Sequence, residues 1–169
     1  MAPCRTLPAM PEPYDPADVV RELIDANRYM ALGTLDPDGR PRVSPVYFAP
    51  DGYSLVYWIS KPDAQHSQNI AERPDISMVI FDSTAPIGTA RAVYLKATGE
   101  RVPDEELDSC AEVACRARFP EQSVFPVEEL RPPEKLRLYR ARVDEHSIHI
   151  RGSDPYYGQG IDHRMTVTL

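Results

Sequence analysis

The chain has 169 residues, of which 42% are hydrophobic and 27% charged, a composition suited to one soluble domain with a single core. Its formal net charge of -7 argues against a duplex nucleic-acid binder, which would normally display a basic face, and against an anionic membrane surface as main partner. An anionic cofactor remains compatible with that charge, because a few local cations and backbone amides can hold one.

Residues 1–14 read as a flexible arm: proline-rich, without the apolar centre of a signal peptide. No run approaches the length of a membrane span, which points to a cytoplasmic protein. Asp15 and Pro16 then open a helix over 16–28 whose stripe is Val19, Val20, Leu23 and Ile24. Tyr29–Leu35 predicts a buried strand, ended by a turn at Asp36-Pro37-Asp38-Gly39. Residues 42–49 and 53–59 are β-rich around Pro50-Asp51-Gly52, and the spacing predicts that they form one hairpin. A short helix over 62–73 and strands over 76–81 and 91–102 follow. The amphipathic pattern over 104–119 predicts a third helix, and 135–143 and 147–150 predict one or two more strands. A tail, 152–169, ends in the alternation Met165, Val167, Leu169. This order suggests a closed antiparallel barrel over 15–151, with the tail packing on it or on a partner chain.

Nucleophile, phosphate-loop, dinucleotide and zinc-protease motifs are absent from the sequence, so no side chain is marked as catalytic. His146 and His149 fall on opposite faces of a strand and make a poor metal pair. Three cysteines, Cys4, Cys110 and Cys115, form no C-x-x-C pair and read as reduced thiols. The predicted hairpin carries one chemical consequence. It would place Arg42 near Ile59, so that Arg42, Ser60, Lys61, Gln65, His66 and the first amides of the next helix converge. Two cations, a hydroxyl and an imidazole at a helix N-terminus suit a phosphate group. A bound dianion would hold His66 protonated. Arg42 and Lys61 read equally well as solvated charges at a strand end.

Three segments, GRPRVSPVYF (39–48), YWISKPDAQHSQNIAERPDISMVIFD (57–82) and ARAVYLKATGERV (90–102), resemble the pyridoxamine 5′-phosphate oxidase-like, FMN-binding split-barrel family. The resemblance implies a mainly β fold, a six-stranded antiparallel Greek-key split barrel, homodimeric, with FMN at the subunit interface. It implies that Arg42, Val43, Ser44, Pro45 and Val46 run along the flavin, with Arg42 toward the phosphate and Ile59 and Ser60 beside the ribityl chain. Gln65 and His66, followed by Ser67, stand where well-known members carry an Arg-Lys phosphate pair. Arg91, or Ala92, stands where many relatives place a glutamine near the ring. Tyr47 replaces a substrate-contacting lysine and the tail lacks the family's R-x-H motif, which points away from vitamin B6 oxidation. The expected activity is an FMN-dependent oxidoreductase on a small organic substrate, with a nicotinamide or oxygen as redox partner. A deazaflavin-dependent reductase, or a non-catalytic module binding flavin or haem, are the alternatives. No histidine context marks a haem axial ligand.

Overall fold

The fold of residues 13–118 and 126–169 is described by a computed structural model. Asp15 accepts a hydrogen bond from the Ala17 amide (2.9 Å), and Pro16 occupies the first turn of α1 (Pro16–Ala26). Val19, Val20 and Ile24 bury one face of α1 against the sheet.

The strands are β1 (Tyr29–Leu35), β2 (Pro41–Tyr47), β3 (Ala49–Asp51), β4 (Leu55–Ser60), β5 (Asp75–Phe81), β6 (Ala92–Arg101), β7 (Arg137–Ile150) and β8 (His163–Val167). Helix α2 (Gln65–Glu72) lies between β4 and β5, and α3 (Leu107–Arg118) between β6 and β7. The strand order is β2-β1-β5-β6-β7-β4-β3, with β8 added to β7, and every pairing is antiparallel. The protein is therefore mainly β, a curled antiparallel half-barrel with few short helices. β3, three residues long, and β8, formed by the tail, extend the sheet beyond the expected strands. Arg137–Ile150 makes one strand, which β6 flanks on one side and β4 and then β8 on the other.

One expectation is overturned. Residues 42–48 do not pair with 53–59; β2 folds back on β1 through the Asp36–Gly39 turn, with Arg42 opposite Thr34. Only Ala49–Asp51 pairs with β4, where Ala49 faces Tyr57. Gly39 sits at φ 83°, which lets the earlier turn close the hairpin. The chain breaks register at Phe48, whose side chain is fully buried and whose amide bonds the Arg28 carbonyl. β2 and β4 meet at a seam without pairing as strands.

The main core fills the barrel with Leu32, Phe48, Trp58, Ile80 and Leu95. Trp58 stacks on Tyr139 (centroids 5.8 Å apart, planes at 18°) and is 2% exposed, so it serves packing. A second cluster lies under α3, where Leu107, Cys110, Ala111 and Ala114 pack on Tyr57 and Leu138. Cys110 is a free, buried thiol, and Cys4 lies outside the described residues. No helix among the described residues is long and apolar enough to cross a membrane.

Candidate functional site

Alternation along β1 and β2 turns Thr34, Arg42 and Ser44 to one side, toward α2, and Gly33, Val43 and Pro45 to the solvent face. At the end of this hairpin a polar network forms. Asp36 takes two guanidinium bonds from Arg42, Nε at 2.7 Å and one terminal nitrogen at 2.9 Å. Asn69, buried on α2, donates to Asp36 at 2.8 Å and to Thr34 Oγ1 at 3.0 Å, and itself accepts from Gln65 at 2.9 Å. Arg73 donates to the Asp36 carbonyl. These bonds dock α2 on the β1–β2 hairpin, and they hold the Asp36 carboxyl below the usual carboxylate range, Arg42 contributing most.

On the other side of the seam, β4 ends in Ser60. Its Oγ lies 2.8 Å from His66 Nε2 and accepts from Ser67 Oγ at 3.2 Å. Burial, together with the nearby Arg42 charge, pushes the His66 pKa below its ordinary value, so the imidazole is neutral near pH 7. The sequence reading had it protonated by a bound dianion; without one, the corner favours the neutral ring. Ala64 offers no side-chain cap to α2, which leaves its first amides available to a ligand. Lys61 is exposed on the connector just before them.

Arg42, Ser60, Gln65, His66 and Ser67 thus meet at one corner, although the route differs from the one expected. Arg42 arrives through β1 and Asn69 rather than through a β2–β4 hairpin. Ile59 does not join them: its side chain packs with the cluster under α3. Val43 is 71% exposed and Pro45 exposed on the outer face, while Val46 is buried and Ser44 half-buried. Arg91 precedes β6 at the far end of the sheet, with its guanidinium 4.8 Å from the centre of the Tyr14 ring. Within one chain it does not reach the corner. Asp36, Thr34 and Asn69 were missed. Asp36 was read only as a turn residue, yet its place six residues before Arg42 across a tight hairpin is the geometry of an ion pair.

On the solvent face an open groove of about 700 Å³ is lined by Gly33, Leu35, Arg42, Val43, Ser77 and Lys96. It continues into a second groove of about 520 Å³ that reaches Tyr94 and Arg164. A Cβ on Gly33 would come within 2.9 Å of Ser77 Oγ and 3.2 Å of its carbonyl, so the glycine keeps the groove floor low. β2 ends the strand order, which leaves one of its edges without a strand partner among the described residues. Among those residues no group of three or more His, Cys, Asp or Glu could hold a metal ion.

A split half-barrel with a polar, cation-bearing corner beside a glycine-floored groove defines the class of fold. The family model for pyridoxamine 5′-phosphate oxidase matches residues 17–149, and the chain belongs to that family. No curated protein matches it. Among solved structures it is similar to a heme-binding protein from Mycobacterium smegmatis (20% identity, 92% of this chain and 59% of that one, TM-score 0.66). It is also similar to the heme storage protein HutZ from Vibrio cholerae (20% identity, 75% and 89% covered, TM-score 0.60). An F420 reductase aligns at 22% identity over 81% of this chain and 98% of that one, with a TM-score of 0.54. At these identities the likeness is one of fold.

Proposed function

We propose that the protein is an FMN-dependent oxidoreductase of flavin reductase or oxidase type, acting as a homodimer on a small organic substrate. The observation that carries this reading is the convergence of Arg42, Ser60, His66, Ser67 and the uncapped amides of α2 at one point. This donor set suits the terminal phosphate of FMN: a guanidinium, hydroxyls, an imidazole and backbone N–H groups. After its bonds to Asp36, Arg42 keeps donors on its second terminal nitrogen for the ligand. The free edge of β2 around Ser44 offers backbone groups to the polar edge of the ring system, and the groove over Gly33 gives the ring room. Val43, Leu35 and Pro41 would exclude water from it. When bound, the flavin supplies the electron and hydride chemistry, with a nicotinamide or oxygen as the second partner. The chain's own task is to bind, orient and keep dry.

The absorption spectrum and native mass of the isolated protein test this reading. A yellow protein of dimer mass, or a colourless one whose added FMN is quenched, supports it. Colourless protein with no spectral response to FMN would defeat it.

Two features favour a second reading on the same fold, a deazaflavin-dependent reductase. Gln65-His66 replaces a dicationic pair, and Arg42 already shares its charge with Asp36. The structural likeness to an F420 reductase is consistent with this. Comparing the two cofactors by fluorescence titration separates the readings, and a clear preference for FMN rejects the second. A non-catalytic haem module, suggested by the heme-binding neighbours, is less well supported. Each of the four histidines has a polar partner: Ser60 for His66, the Tyr53 carbonyl for His146, Asp162 for His149 and the Ile161 carbonyl for His163.

A further inference from the structure

Ser67 Oγ donates to Ser60 Oγ, and the Ser60–His66 bond runs either way according to the tautomer or charge of the ring. Around a neutral ring protonated on Nδ1, Nε2 accepts the Ser60 hydroxyl proton. Ser60 and Ser67 are 9% and 3% exposed, which keeps water from replacing these bonds. A second acceptor stands beside Ser60: the Lys61 carbonyl oxygen lies 3.5 Å from its Oγ. If the imidazole gains a proton, Nε2–H donates to Ser60 Oγ and the Ser60 proton turns to that carbonyl. The chain therefore has two complete hydrogen-bond arrangements, one around a neutral ring and one around a cationic ring.

We propose that anion capture at this corner is proton-linked: a phosphate-bearing ligand binds together with one proton from solvent, which His66 holds beside it as imidazolium. The proposal rests on the reading of the corner as a phosphate seat, and it replaces the family's fixed cationic pair with a conditional cation. The charged groups around His66 agree with it. Arg42 on β2 repels a proton on the ring, and the Asp36 carboxylate is committed to Arg42 and Asn69. Lys61 and Asp63 are exposed on the connector. Arg137, in register with Ser60 on β7, turns its guanidinium back to the carbonyls of Glu134 and Leu136. No carboxylate on β2, β7 or α2 is therefore placed to stabilise the cation until a ligand brings one or more negative oxygens.

The test follows the His66 ring by NMR across about pH 5 to 8.5 in the full chain alone, with inorganic phosphate and with FMN. Heats of FMN binding are measured in parallel in two buffers of different ionisation enthalpy. The expected result is a raised His66 midpoint with either anion and uptake of about one proton per FMN. Above about pH 7, where the ligand phosphate is already dianionic, affinity should fall by up to about tenfold per pH unit. His66→Arg should bind FMN without proton uptake and with a flat pH dependence. FMN binding with an unmoved His66 and no proton uptake would overturn the proposal and leave the flavin reading standing. Absent FMN binding with a midpoint still raised by phosphate would sink the flavin reading and keep the proton linkage. A midpoint moved by neither anion also overturns it.

Discussion

Arg42 has a structural role at the corner and, in the proposed reading, a ligand-binding one as well. Its paired bonds to Asp36 orient a planar fork that a lysine could not reproduce. Removing it should weaken FMN binding at least about fivefold, the scale of one lost charge-assisted hydrogen bond. A fluorescence-quenching titration of Arg42→Ala checks this, and unchanged affinity would place the phosphate elsewhere. The half-buried imidazoles give a separate expectation for the free protein. The pKa values of His66 and His146 are both lowered from 6.5, chiefly by burial. The unfolded chain therefore binds those protons first as the solution is acidified. The stability these rings contribute is complete above about pH 6.5 and is lost as pH falls through their folded-state values. Thermal melts of the apoprotein should show the midpoint falling through that window, and His66→Gln should flatten the fall. An equally steep curve for the variant would show that His66 takes no part.

At the scale of elements, pattern and partner separate. Apolar and β-rich runs placed β1 at Tyr29–Leu35 and located β4, β5 and β6 within a residue or two, because strand formers bounded by turn residues mark a strand directly. Such runs cannot say which neighbour a strand chooses. Residues 42–51 held two turn signals, one on each side, and the chain used both: β2 pairs backward and β3 forward. The meeting of Ser60, His66 and Ser67 was legible because α2 must follow β4 whatever β2 does. Asn69 and Asp36 were not, since their role exists only once α2 docks on the β1–β2 hairpin. Gly33 is a sharp probe of that hairpin. It lies opposite both Val43 and Ser77, and an added Cβ meets Ser77 Oγ at 2.9 Å and the Ser77 carbonyl at 3.2 Å, so β5 would have to shift. Gly33→Ala should cost about 1 kcal/mol or more in a denaturant titration, the scale of overpacking. It should also weaken FMN by raising the groove floor. Wild-type stability in this variant would mean that β1 and β5 are more loosely spaced than they look.

For the whole molecule, the outward face of β1, β2 and β5 is the feature a lone chain does not account for. Tyr29 (64% exposed), Val43 (71%), Leu35 (45%) and Phe81 (46%) all stand on that face, around Gly33. Apolar side chains gathered on one sheet face mark a surface that another molecule covers. The proposed homodimer would cover it with the same face of a second copy, a self-complementary contact. It would also enclose a groove that is open in one chain, and a second copy could bring Arg91 to a ring that its own chain cannot reach. Val43 tests this at one point, because its side chain touches solvent and not the core. Val43→Asp should leave the fold intact by circular dichroism while shifting the native mass from dimer to monomer. FMN affinity should fall with the dimer and recover as protein concentration is raised. A monomeric wild-type protein that binds FMN tightly would show instead that one chain completes the seat, and that the apolar face serves some other contact.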